Sequence, residues 1–431
     1  MVTPFLVAPV DDPRDGVTPM RRLAPALMMS EFAFTIALAT PVQLLLALHL
    51  DALASTGAAT AFGVVTGSGA LVAILTGPVA GRISDRTCTR LGRRRPWMLI
   101  GSLLGALALA AVPFTTEIWQ VVLLWCGVQM ACTFQRAASS ALLADQVVRR
   151  RTGRVTGLLG LAAASGPLVG LAVADVAPGG RAGQWLAVAV FALGATWTAF
   201  LLLREPRTDS PTLPLNLRTV VTSFWLDPRR HPAFAWAWLV RFLVTCAYAS
   251  SAYSTFFLME RFGIKAEELG RVVLLLGLLT ISCVAVSCVA AGYLSDWVRR
   301  QKPFVAFSGV LAAAALVLMA WAQDMAWIYV GVAVMGISMG TFLSVDLAVC
   351  VRVLPHRADS AKDLGIFNVA NSLPDSLVPL AAPVMLMIGG YTALFGTLAA
   401  FGLLGVLACS RLPEVGREDE RGRWVVPLTR G

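Results

Sequence analysis

The chain alternates between long apolar runs and short polar breaks. Runs long enough to cross a bilayer fall at 23–50, 57–81, 97–115, 118–144, 155–177, 184–203, 233–258, 271–291, 303–322, 326–351, 364–388 and 392–410. Each is close to or above the roughly 20 residues a helix needs to span the hydrocarbon. The pattern predicts an all-α polytopic membrane protein with twelve transmembrane helices. The first run could be mistaken for a secretory signal, because Ala52-Leu53-Ala54 resembles a cleavage box. A signal core is only about 7–15 residues, so this run is read as a first span.

Composition narrows the picture. Of 431 residues, 57% are hydrophobic and 14% charged, with a mean hydropathy of +0.73. A soluble domain carries about 25% charged residues, and a disordered chain carries more still; both classes are excluded. The net charge of +10 could suggest nucleic acid, but the basic residues sort by loop. Twenty-nine of the 35 Lys and Arg lie in the N-terminal tail, the even-numbered loops and the C-terminal tail. The odd-numbered loops hold only Arg181, Arg261, Lys265 and Arg271. That asymmetry places both termini in the cytoplasm and leaves no nucleic-acid partner to expect.

None of the eight cysteines forms a CxxC pair, so neither a disulfide framework nor a metal site is expected, and no cofactor. Arginine outnumbers lysine 32 to 3, which suggests a high-GC bacterial genome and hence a bacterial cytoplasmic membrane.

The chain also repeats itself. Gly81-Arg-Ile-Ser-Asp85 returns as Gly292-Tyr-Leu-Ser-Asp296, 211 positions later; Pro96 and Pro303 are 207 apart, as are Pro167 and Pro374. The expected organisation is a cytoplasmic tail (1–22), a six-helix bundle (23–203), a cytoplasmic linker (204–232), a second bundle (233–410) and a cytoplasmic tail (411–431). Parallel repeats of this kind rock two halves about a central site. The linker holds a segment, Leu215 to Leu226, that reads either as plain connection or as a helix on the membrane surface.

The loop Gly81-x3-Asp85-Arg86 through Gly92-Arg93-Arg94-Arg95-Pro96 resembles the signature loop of the major facilitator superfamily. Its variant, running to Trp97, is similar to that of glycoside-pentoside-hexuronide cation symporters and sucrose-type sugar transporters. Gly292-x3-Asp296 with Arg299 and Arg300 is a degenerate second copy. Gly81 is expected to let two helices approach closely. The resemblance implies that Asp85 and Asp296 pair with basic residues and dock on helix starts of the opposite half, closing the cytoplasmic side. Asp145, at the end of span four, is expected to pair with the loop arginines. Two features depart from relatives: residues 57–81 contain no acid, and Gly166-Pro167-x-x-Gly170 matches an antiporter motif only partly. Close helix packing explains the latter.

An ionisable group at the bilayer centre costs at least about 2.5–3.5 kcal/mol, so each one asks for a reason. Glu31 and Arg136 lie in spans one and four; Arg241 and Asp346 lie in the equivalent spans seven and ten. The resemblance implies that these four helices line the cavity. The four charges sum to zero and invert between halves. They read as a proton-coupling and substrate-orienting network, the alternative being static pairs that hold helices together. Glu31 is the expected proton carrier, since burial raises a carboxyl pKa and a neighbouring Arg lowers it. Arg136 and Asp346 are expected to pair across the halves when the cytoplasmic side is closed and to separate when the molecule faces inward. Span eleven adds Asn368, Asn371 and Asp375 on one helical face, and Gln43, Gln129 and Gln135 are further polar candidates, with helix–helix hydrogen bonding as the other reading. Trp125, Trp236 and Trp238 could stack on a sugar or anchor the interface.

No mid-membrane histidine and no glycine-rich lysine loop argue against an embedded enzyme or an ATP-driven pump. Two functions remain: proton-coupled movement of a small polar solute, sugar- or glycoside-like, and proton-driven export of a drug-like compound or secondary metabolite. The expected partners are that solute, a proton and the bilayer, with the chain working as a monomer.

Overall fold

A computed structural model describes residues 18–54, 57–87, 89–147, 152–205, 231–298, 300–352 and 360–412. The linker segment at 215–226 and both tails lie outside the described residues. The described chain is all helix, without strands. In the first half run α1 (Met20–Leu53), α2 (Ala58–Arg86), α3 (Arg95–Ala111), α4 (Ile118–Gln146), α5 (Thr152–Asp175) and α6 (Gly180–Leu202). In the second run α7 (Pro232–Phe262), α8 (Ala266–Val298), α9 (Lys302–Ala320) and α10 (Met325–Arg352). The last helix, Ser360–Ser410, is broken at Gly389 and Gly390, giving limbs α11 (360–388) and α12 (391–410). Gly390 has a φ of +63°, open to glycine at little cost, and this turn sends the chain back across. Eleven helices among the described residues are long and apolar enough to cross a membrane, with the two final limbs counted as one.

Local chemistry explains several boundaries. Glu117 and Gln120 form a reciprocal capping box at the start of α4, satisfying donors that a helix start leaves open. Pro96 sits in the first turn of α3, where a missing N–H costs nothing. Two helices are not α throughout. Pro41–Leu45 in α1 forms a π turn, and Ala249–Tyr253 in α7 a 3-10 turn.

Within the first half, α2 packs on α4, α3 on α4 and α6, and α1 on α5 and α6; α8–α10 and α9–α10 pairings recur in the second. Glycines set the closest approaches. A Cβ at Gly101 would stand 2.5 Å from the Ala131 carbonyl oxygen. Gly166 and Gly170 face Thr35 and Thr40 of α1, so the Gly-Pro stretch in α5 serves packing.

The loops joining α2 to α3 and α8 to α9 lie on one face, here the arginine-rich face. Packing differs between this face and the opposite one. Near the arginine-rich face each half keeps its own core. One gathers around Leu23, Leu27, Met98 and Leu142, the other around Phe234, Val240, Phe342 and Cys409. Toward the opposite face a single core runs through both halves, taking in Leu44, Phe62, Tyr253, Phe256 and Leu276. There α2 meets α11 where Gly63 lies under Pro379 and Pro383, and α5 meets α8 where Gly277 lies on Leu168. Among the described residues, the two halves share a core at the opposite face and keep separate cores at the arginine-rich one.

Candidate functional site

Between the halves lies a cavity of about 590 Å³, within the roughly 300–1,000 Å³ common for small-molecule sites. Helices α1, α2 and α4 supply most of its wall; α7 and α11 supply the rest. Much of the lining is aliphatic, including Leu38, Val42 and Ile74. Polar groups are few: Gln43, Gln129, Arg136 and Asp375, with the hydroxyls of Thr66, Thr133, Ser140 and Ser251.

Arg136 carries the site's electrostatics. Its side chain is 54% exposed, toward the cavity, while Glu31 is 16% exposed. The two meet at 3.5 Å between Nη2 and Oε1. Phe34, one turn along α1 from Glu31, lies beneath the guanidinium with its ring centre 4.5 Å from Cζ. Glu31 and Phe34 thus hold Arg136 from two sides, and much of its donor fork remains open to the cavity. Asp375, on α11, is the charged group that the second half brings to this cavity among the described residues.

The other buried charges do not join them. Arg241 pairs with Asp346 at 3.3 Å, both largely shielded at 15% and 12%. Beside them Tyr248 hydrogen-bonds Ser338 at 3.0 Å, and Ser338 donates to the Ser308 carbonyl at 2.7 Å. Arg136 and Asp346 are not paired with each other in this conformation. Each takes a partner in its own half, because the halves are parted on the side where α4 and α10 would meet.

Other candidates are redistributed. Gln135 is buried and donates to Thr196 at 2.9 Å and to the Ser30 carbonyl at 3.4 Å, so it ties α4 to α1 and α6. Trp125 is fully buried, packed over Gly69 of α2; it offers no face to a solute. Trp238 stacks on Phe242 with centroids 5.5 Å apart. Asp85, Asp296, Asn368 and Asn371 are placed on α2, α8 and α11 by backbone alone, and Arg299 lies outside the described residues. A Cβ at Gly81 or Gly292 would meet nothing within 4 Å. Among the described residues, no neighbour lies against Gly81 in this conformation.

The arginine loop is ordered by acids. Asp145 accepts from Arg93 at 2.9 Å and from Arg94 at 3.5 Å, and Arg94 also donates to Ser84 at 3.3 Å. Arg86 and Arg300 stay exposed. A residue missed in the sequence organises the rest. Glu205, just past α6, accepts the backbone N–H groups of Arg94 at 2.9 Å and Arg95 at 3.2 Å. It therefore caps the positive end of α3. Gly92, with φ +97°, is packed against this carboxylate and leaves no room for a Cβ. The available signal was an acid directly after span six in a chain poor in acids. Glu205→Ala should lower stability by about 1 kcal/mol, as cap losses do, with solute binding retained. Thermal unfolding in a lipid nanodisc would measure it, and an unchanged midpoint would remove Glu205 from this role.

Two helical halves around a charged cavity fit a membrane transporter, and the family match makes the chain a transporter and not an enzyme. The chain belongs to the Major Facilitator Superfamily, whose description matches residues 23–379. A segment of 51 residues is 47% identical to the general alpha-glucoside permease of Schizosaccharomyces pombe, covering 12% of this chain and 9% of the permease. Among solved structures, nucleoside transporter NupG superposes with a TM-score of 0.71 at 12% identity, over 90% of this chain and 99% of that one. A D-xylose-proton symporter gives 0.68 at 14%, over 91% and 98%. At such identities these likenesses establish the fold alone.

Proposed function

We propose that this multi-pass protein is a secondary active transporter, working by alternating access and coupled to protons, that moves a small polar organic solute of sugar or glycoside type. The observation that carries the proposal is the cavity itself. It is shut at one face by a shared core, reached from the other, and brings Arg136 and Asp375 to the seam of two halves, with Glu31 behind Arg136. Arg136 offers planar donors and Asp375 planar acceptors, a combination suited to hydroxyl groups. A permease for alpha-glucosides and a xylose-proton symporter among its likenesses agree with that class. Glu31 is the proton carrier in this reading, an intramembrane acid held 3.5 Å from Arg136. In the alternate state Arg136 turns to Asp346 and the arginine-rich face closes through the Asp85 and Asp296 loops.

The basic loops support a cytoplasmic assignment of the arginine-rich face, which makes the conformation inward-facing in a bacterial cytoplasmic membrane. Reporter fusions after residues 54, 181 and 265 should then signal the periplasm, and those after 90, 215 and 425 the cytoplasm. A cytoplasmic signal at 265 would break the second half of that topology.

The aliphatic walls support a second reading, export of a drug-like compound. Uptake of radiolabelled methyl α-glucoside and xylose into energised right-side-out vesicles, with and without a protonophore, tests the first. Accumulation that the protonophore collapses is the expected result. Efflux of a hydrophobic dye from the same vesicles, with no sugar uptake, would favour the second.

A further inference from the structure

The π turn at Pro41–Leu45 and the 3-10 turn at Ala249–Tyr253 are 208 residues apart at both ends, inside the 207–211 offset of the sequence repeat. They occupy equivalent positions in α1 and α7. Both depart from α geometry at the same depth, where the helices line the cavity and then roof it. Gln43 of the π turn and Ala249, Ser251 and Ala252 of the 3-10 turn all face the cavity. Directly beyond it, the Thr255 hydroxyl donates to the Gln43 backbone carbonyl, from one half to the other. Thr255 is fully buried, so this hydrogen bond is made away from competing water.

Two neighbouring contacts complete the roof. Tyr253 donates to the Pro379 carbonyl of α11 at 3.0 Å, and Phe62 of α2 meets Tyr253 edge-on with centroids 5.4 Å apart. Irregular turns inside helices commonly mark functional sites, because the interrupted hydrogen-bond ladder bends there first. Pro41 contributes by lacking the N–H that a regular ladder would use.

We propose that Thr255 is the latch that holds the cavity's roof shut across these paired turns. It acts as a positioning residue: through the Gln43 carbonyl it holds the π turn of α1 against α7. The inference rests on the alternating-access reading above and is independent of which solute is carried.

The measurement is the labelling rate of a single cysteine placed at Val273, in a background without the eight native cysteines. Val273 is 8% exposed and shares a face of α8 with Gly270 and Gly277, which lie against Leu44 and Leu168 of the first half. A membrane-impermeant maleimide is added from the opposite face in proteoliposomes, without solute. Thr255→Val keeps the side chain's shape and removes the donor. It should raise the rate roughly three- to tenfold, the population shift that one buried hydrogen bond supports. Thr255→Ser should restore the original rate, and Pro41→Ala, which permits a regular α turn, should raise it as Thr255→Val does. The thermal unfolding midpoint of Thr255→Val should change little. A Thr255→Val rate equal to the parent's overturns the latch. A raised rate that Thr255→Ser does not restore, or one accompanied by a collapsed unfolding midpoint, assigns Thr255 to packing and overturns it too. Loss of all methyl α-glucoside transport in the parent would count against the sugar reading and leave this result standing.

Discussion

Glu31→Gln should reduce accumulation of solute to simple equilibration, an internal-to-external ratio near one, while exchange across the membrane falls less than about tenfold. Glu31 is the acid of span one, 16% exposed and 3.5 Å from Arg136, which lines the cavity. Glutamine keeps the shape and one acceptor but cannot carry the proton. Folding should survive. Arg136 is 54% exposed, and an ion pair with that much water contributes no more than about 1 kcal/mol. A fully buried pair broken in the same way would cost about 3–5 kcal/mol. The check is counterflow and net accumulation of the same labelled solute across a range of external pH. A mutant that still concentrates solute at every pH would move the coupling role to Asp375 on the opposite wall.

Gly63→Leu should hold the opposite face apart and cut net transport by more than tenfold, with the protein present in the membrane at its usual level. A Cβ at Gly63 would stand 2.5 Å from the Pro379 carbonyl oxygen, 2.7 Å from Pro383 and 2.8 Å from the Tyr253 hydroxyl. Backbone and proline ring cannot swing aside as a flexible side chain can. Overpacking of this kind costs about 1–3 kcal/mol, equivalent to roughly a five- to 150-fold shift in population toward the state where α2 and α11 separate. Labelling from the opposite face and initial uptake rates measure the two effects together. Normal uptake with unchanged labelling would mean that α2 and α11 do not touch at this glycine in the membrane.

The helices were legible because a span is a one-dimensional property: enough consecutive apolar residues dictate it. Which way each polar residue points was not, since that depends on how a helix is rotated about its axis. Gln129 and Gln135 show the difference. They are six positions apart on α4, and one faces the cavity while the other is spent on Thr196 and Ser30. Ion pairing was similarly hidden. Four charges on equivalent helices can pair within halves or between them, and the choice belongs to the conformation. Glu205 escaped because capping is read from two distant segments, and the Gln43 carbonyl because sequence pattern speaks of side chains and is silent about main-chain atoms.

The division of the apolar core also has a thermal consequence. One face of the molecule is sealed by shared hydrophobic surface, whereas at the other the two halves keep separate cores. Parting the sealed face wets apolar atoms, and wetting apolar atoms raises heat capacity. A conformation with both faces open at once would therefore carry the largest heat capacity in the cycle and the weakest disadvantage in the cold, where hydrophobic attraction fades. The barrier against passive leak through the protein is, on this account, a property of water as much as of the chain: firmest near growth temperature and softening as the membrane is chilled.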